Sequence, residues 1–151
     1  MFDEDCNRGK IRNRDNAKQL RDFSGLRFGK ITPTDIDGFL DFGGEVFVFF
    51  ELKHGTSKMP TGQKLAYERI VDACEKGGVC TLFILAHHNT DKESDVDVST
   101  LNVTEYYSDG VWFKPECEIT VRESVRLFLR KIKTTMPCQR YAFKKHKGGV
   151  A

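Results

Sequence analysis

Apolar residues follow two different rhythms along this chain. Val46-Phe47-Val48-Phe49-Phe50 is an unbroken run of strong β formers, the pattern of a strand covered on both faces. Gly43-Gly44 separates it from a second segment ending in Phe39, Leu40 and Phe42. Apolar runs flanking Gly-Gly predict a hairpin, with strands over residues 35–42 and 45–53. The rhythm then lengthens. Leu65, Ala66, Ile70, Val71 and Ala73 recur at helical spacing from Thr61 or Gly62 to about Lys76, and Gly77-Gly78 supplies the stop. Residues 79–86 read as another buried strand and 87–94 as a polar loop. Weak alternation over 96–107 predicts a strand, Ser108-Asp109-Gly110 a turn, and Val111-Trp112-Phe113 a short return strand.

The ends of the chain are basic. Ile11, Ala17, Leu20 and Phe23 among Arg, Lys, Asn and Asp predict a basic amphipathic helix over 11–23, broken by Gly25 and Gly29. Pro33 keeps Thr32 extended. Thr120-Val121-Arg122-Glu123 matches a capping box that opens a helix to about Lys133. The stretch 137–151 is a basic tail. Residues 1–30 carry eight Lys/Arg against five Asp/Glu, and residues 122–151 nine against one, whereas 31–121 carry seven against sixteen. Basic flanks around an acidic centre suit a protein that grips a polyanion at its edges and holds cations in the middle; the plainer reading is a solvated surface with a basic end.

Length and composition narrow the classes. At 151 residues, 39% hydrophobic and 30% charged, the chain fits one soluble domain with a hydrophobic core. No apolar run approaches the ~20 residues of a membrane helix, so no membrane partner is expected. Met1-Phe2-Asp3-Glu4-Asp5 is not a secretory signal. The five cysteines are scattered without a C-x-x-C pair, which argues against a zinc or iron–sulfur site and for a reducing, cytoplasmic setting.

The chemistry concentrates at the hairpin. Glu51 and Lys53, two apart on a strand, share one face, and Asp35, Asp37 and Asp41 share a face of the facing strand. A two-residue Gly43-Gly44 loop would pair Phe42 with Glu45 and put Asp37 and Glu51 on opposite faces. Bringing them together requires a three-residue loop or a bulge. Two carboxylates on one face form a hard oxygen site for Mg²⁺ or Mn²⁺. An adjacent ammonium can hold water and stabilise a pentacovalent phosphate. The plainer alternative for Glu51 and Lys53 is an exposed cross-strand salt bridge.

Asp35-Ile36-Asp37-Gly38, followed across the glycine hairpin by Glu51-Leu52-Lys53, resembles the PD-(D/E)xK nuclease superfamily. The resemblance maps the strand Asp to Asp37, with Asp35 competing for the role, and (D/E)xK to Glu51 and Lys53. It implies that the Leu52 carbonyl joins Asp37 and Glu51 as a ligand of Mg²⁺ or Mn²⁺. Gln63 and Tyr67, four apart on one helical face, are similar to the QxxxY motif of the recombination-exonuclease branch, where the helix supports the active site and contacts nucleic acid. The implied fold is α/β: a restriction-endonuclease-like αβββαβ core over about 10–90, with the hairpin central in a mixed sheet and helices on both faces. A C-terminal hairpin and helix over about 95–151 complete a single nuclease domain, 1–151. The implied function is divalent-metal-dependent hydrolysis of DNA.

Two alternatives accompany it. One is a Holliday-junction or flap endonuclease, which as a resolvase would act as a homodimer because it cuts two strands symmetrically. The other is an inactive nuclease fold that binds nucleic acid. His54, His87 and His88 read as structural or surface residues, Asp91, Glu93, Asp95 and Asp97 as a solvated loop without EF-hand spacing, and Tyr106, Tyr107 and Trp112 as packing under a small hairpin.

Overall fold

The computed structural model describes residues 21–135. Contacts divide the chain into one unit of residues 1–33 and another of 34–151. In the first, the described residues hold a 3-10 turn at Ser24–Leu26 and an isolated bridge between Phe28 and Ile31. Most of the expected first helix, 11–20, and the basic tail lie outside the described residues; residues 21–23 are not helical.

The second unit is built on a five-stranded mixed sheet. Its elements run β1 (Gly38–Phe42), β2 (Val46–His54), α1 (Thr61–Lys76), β3 (Cys80–His88), a 3-10 turn (Val98–Thr100), β4 (Val103–Ser108), β5 (Val111–Phe113) and α2 (Val121–Thr135). The strands lie in the order β1-β2-β3-β4-β5. Only β2 and β3 are parallel, and α1 forms the crossover that a parallel pair requires.

Both faces of the sheet are covered, which is why β2 and β3 read as unbroken apolar runs. Val48, Phe50, Leu82, Ile84 and Ala86 pack toward Val121, Val125 and Phe128 of α2. The alternate residues Phe49, Phe83 and Leu85 pack with Tyr67 and Val71 of α1. The helix ends follow local chemistry. Gly78, at φ 86°, leaves α1 in the left-handed region. The bonds Gly78 N–H to Glu75 O and Val79 N–H to Cys74 O close a Schellman motif there. At α2, Glu123 N–H donates to Thr120 Oγ1 at 3.2 Å, the first half of the expected capping box.

Several expectations are corrected. The hairpin is not central: β1 is an edge strand and β3 occupies the middle. Two strands, not three, precede α1 among the described residues. Strand β1 starts at Gly38, so Asp35 and Asp37 lie before it rather than on it. The stretch 96–107 is divided into a 3-10 turn and a six-residue strand. His87 and His88 extend β3 instead of opening a loop. On α1, Leu65 and Ala73 are exposed, because the buried stripe runs through Tyr67 and Val71.

Candidate active site

The register of the β1–β2 hairpin determines what meets what. Phe42 pairs with Val46, leaving a three-residue loop, Gly43-Gly44-Glu45. Both glycines have positive φ, 71° and 76°, which lets an odd-length loop close without strain from a side chain. The loop is further tied by Gly44 N–H donating to Asp41 Oδ1 at 2.6 Å. The pairing runs back to Gly38 opposite Phe50. Asp37 immediately precedes that pair, and its carboxyl lies near enough to Glu51 for the two charges to repel. Gly38 makes that approach feasible: a Cβ there would meet the Phe50 ring at 3.1 Å.

Asp37 then takes over where the strand stops. Its Oδ2 accepts the Leu52 N–H at 2.7 Å, replacing a ladder bond with a side-chain bond. Although Asp37 is exposed as a residue, its carboxyl is turned inward. Partial loss of water raises its pKa above the ordinary aspartate value; the charges of Glu51 and Asp35 act in the same direction, against the Leu52 N–H and Lys53. Asp35 is exposed, and its backbone carbonyl, not its carboxylate, faces the Tyr67 hydroxyl at 3.4 Å.

Glu51 is 2% exposed, a position where a carboxylate must be fully hydrogen-bonded. Tyr67 donates to Oε2 at 2.7 Å. Gln63 Nε2 and Lys53 Nζ donate to Oε1 at 2.8 and 2.6 Å. Lys53 Nζ also donates to Gln63 Oε1 at 3.0 Å, which closes a three-membered polar ring. Glu51 and Lys53 therefore form an ion pair, but along one strand and largely buried, unlike the exposed cross-strand bridge of the plainer reading. The Lys53 side chain is 19% exposed, so the ammonium sits where the buried network opens to solvent. An ammonium has three hydrogens, and two are engaged here.

Tyr67 is 1% exposed and packs on Phe83. Burial and the Glu51 carboxylate raise its pKa beyond the ordinary tyrosine range. It stays a neutral donor, the form Glu51 needs. Asp37, Glu51, Lys53, Gln63 and Tyr67 are thus gathered at one corner of the sheet, from a strand end, a strand and a helix.

The three histidines do not join them. His87 Nε2 donates to the Ser57 carbonyl at 2.9 Å, and its Nδ1 meets Thr104 Oγ1 at 3.0 Å. His54 and His88 meet edge to face at 5.3 Å. On that opposite face of the sheet, His88 Nδ1 is buried without a partner among the described residues. Trp112 and Tyr107 pack on the core, as expected, and bind Glu68 and Asp72 of α1.

Among the described residues, no group of three or more His, Cys, Asp or Glu is arranged to hold a metal ion. The acidic groups gathered at the corner are the carboxylates of Asp37 and Glu51. No helix among the described residues is long and apolar enough to cross a membrane. No family model, curated protein or solved structure matches this chain.

Proposed function

We propose that this protein is a divalent-metal-dependent nuclease of the PD-(D/E)xK type that hydrolyses phosphodiester bonds of DNA. The observation that carries the reading is the convergence on Glu51. A carboxylate 2% exposed is held by Lys53, Gln63 and Tyr67, with the Asp37 carboxyl close enough to feel its charge. A structural ion pair would not require a glutamate at this depth, since burying it is unfavourable unless every oxygen is bonded.

The donor set fits Mg²⁺ or Mn²⁺. Asp37, Glu51 and the Leu52 carbonyl are hard oxygens, and magnesium needs only one or two carboxylates because it keeps several waters. Two donors occupy Glu51 Oε1 and one occupies Oε2, so Oε2 retains a lone pair. Bound there, the ion would neutralise phosphate charge and lower the pKa of a bound water. The chain's own groups do the rest. The Lys53 ammonium reaches solvent and would use its third hydrogen on a non-bridging phosphate oxygen, most strongly as charge develops. Gln63 fixes the Lys53 ammonium against Glu51. Tyr67 fixes the Glu51 carboxylate and excludes water beneath it.

Cleavage of a labelled DNA panel (duplex, single strand, flap and four-way junction) with Mg²⁺, Mn²⁺ or EDTA tests this. Metal-dependent cutting should fall about 10²–10³-fold or more in Glu51→Gln and Lys53→Ala. No cutting with any metal, or equal cutting by both variants and the parent, overturns the reading.

A further inference from the structure

A second feature lies on the same face of the sheet, one strand away from Glu51. In the β2–β3 register, Glu51 is opposite Leu85 and Lys53 is opposite His87. Leu85 and His87 line a cavity of about 550 Å³ whose rim carries Lys58, Lys64 and Lys114. One acidic residue, Glu105, lines it. Among the described residues none of the three lysines makes an ion pair. Three ammonium groups against one carboxylate around a single concavity attract an anion more strongly than scattered surface lysines do.

The cavity is also braced. The bond from His87 to the Ser57 carbonyl ties the loop before α1 to β3, next to Lys58. Lys64 sits over the Trp112 ring at 4.3 Å, a cation–π contact that restrains its ammonium. Thr104, where a bulge interrupts the β3–β4 ladder, bonds His87 and the Leu85 carbonyl. Met59 and Leu85 give the wall an apolar part. Cations, hydroxyls and an apolar wall match the phosphate, sugar and base of one nucleotide. Neighbouring strands are ~4.8 Å apart, so the cavity between β2 and β4 begins within ~10 Å of Glu51.

The geometry points to a nucleotide-binding pocket in which Lys58, Lys64 and Lys114 hold a phosphate of the nucleic-acid strand beside the bond that is cut. This rests on the nuclease reading of Glu51. The phosphate is either an internal phosphodiester or a strand-terminal monophosphate, and the pocket chemistry is common to both.

The test is fluorescence anisotropy of the full chain with a labelled single-stranded oligonucleotide in EDTA, over a range of salt. The double variant Lys58→Gln/Lys114→Gln removes two cations at exposed positions. The control Lys76→Gln/Lys131→Gln removes the same charge at the opposite end of the sheet, where Lys131 lines a cavity with Cys80 and Thr81. We expect about tenfold weaker binding in the pocket variant. Its slope of log Kd against log salt should be shallower by about two, one for each lysine that no longer neutralises a phosphate. The control should change less than about threefold. Equal losses in the two variants overturn the pocket. Oligonucleotides with and without a terminal phosphate separate the two sources: added affinity that vanishes in the pocket variant assigns the strand end, and none assigns the internal phosphodiester. Cleavage by the same variants separates the two proposals. If the pocket variant binds and cuts like the parent while Glu51→Gln is inactive, the pocket alone fails. If Glu51→Gln cuts normally, the nuclease reading fails whatever the binding shows.

Discussion

Tyr67 hands its hydroxyl hydrogen to Glu51 Oε2 across 2.7 Å, from a helix sixteen residues further along the chain. The bond joins the end of β2 to the first half of α1, the two elements that hold that carboxylate in place. It also sets up the first expectation.

Tyr67→Phe removes one donor from a buried carboxylate and leaves the packing on Phe83 intact. The fold should lose about 1–3 kcal/mol, the range for a buried charged acceptor left short of a partner. Urea unfolding of the metal-free protein reads this directly. No measurable loss would mean that Glu51 is solvated where the structure has it buried.

Alkaline pH probes the same tyrosine from another side. Tyr67 and Tyr106 are raised above their ordinary value chiefly by burial, and Tyr107 is pushed up to about 12. A phenol whose folded pKa is raised is neutral in the fold. Its contribution to stability is fully present below about pH 10 and is lost as pH rises through the folded values. Absorbance titration of the folded chain should therefore show at most two of its four tyrosines ionising near pH 10. Three or more normal steps would contradict the burial of Tyr67 and Tyr107.

Asp37 carries a charge that opposes the fold. Its carboxyl is raised by water loss and by the charges of Glu51 and Asp35, so its ionised form opposes folding. Its favourable state is complete below the unfolded value near 3.9 and is lost as pH rises through the higher folded value. Asp37→Asn keeps an acceptor for the Leu52 N–H and removes the charge. At pH 7 without metal, Tm should rise slightly, on the order of 1–2 °C, because the group is partly exposed. The gain should vanish near pH 3, and metal-dependent cleavage should be lost. A lower Tm at pH 7 would show that the ionised carboxylate is stabilising.

The hairpin register can be tested by a deletion within β1. Removing Leu40 moves Phe39 opposite Val48 and Gly38 opposite Phe49, one step from their present partners. That single step moves Asp37 to the face opposite Glu51. Cleavage should fall to background. The edge strand should also weaken, seen as faster amide exchange at Phe39. Retained activity would show that Asp37 need not share a face with Glu51.

In the core, Phe83 is fully buried between Tyr67 and Trp112. Phe83→Ala should cost about 3–5 kcal/mol, measured by denaturant midpoint, and should reduce cleavage only as far as it releases Tyr67.

The strands and helices around the corner were legible because their signals are local. An apolar run covering both pleats marks β2, a 3.6-residue rhythm with a double glycine marks α1, and a three-residue loop is the parity that aligns Asp37 with Glu51. Spacing alone puts Glu51 and Lys53 on one strand face and Gln63 and Tyr67 on one helical face; singling out Asp37, Glu51, Lys53, Gln63 and Tyr67 as a set rests on the motif resemblance. Other features depend on which elements lie side by side, and no local pattern encodes that. The hairpin stands at the edge because β3 pairs in parallel on the other side of β2 and carries β4 and β5 beyond it. Asp37 lies off the strand because Gly38 meets Phe50 closely and the Asp37 carboxylate then captures the Leu52 N–H. The three donors that meet on Glu51, and the gathering of Lys58, Lys64 and Lys114 around one cavity, join residues far apart in sequence. Propensity and periodicity act within a turn or a pleat, whereas burial and charge act across whatever the folded sheet brings into contact.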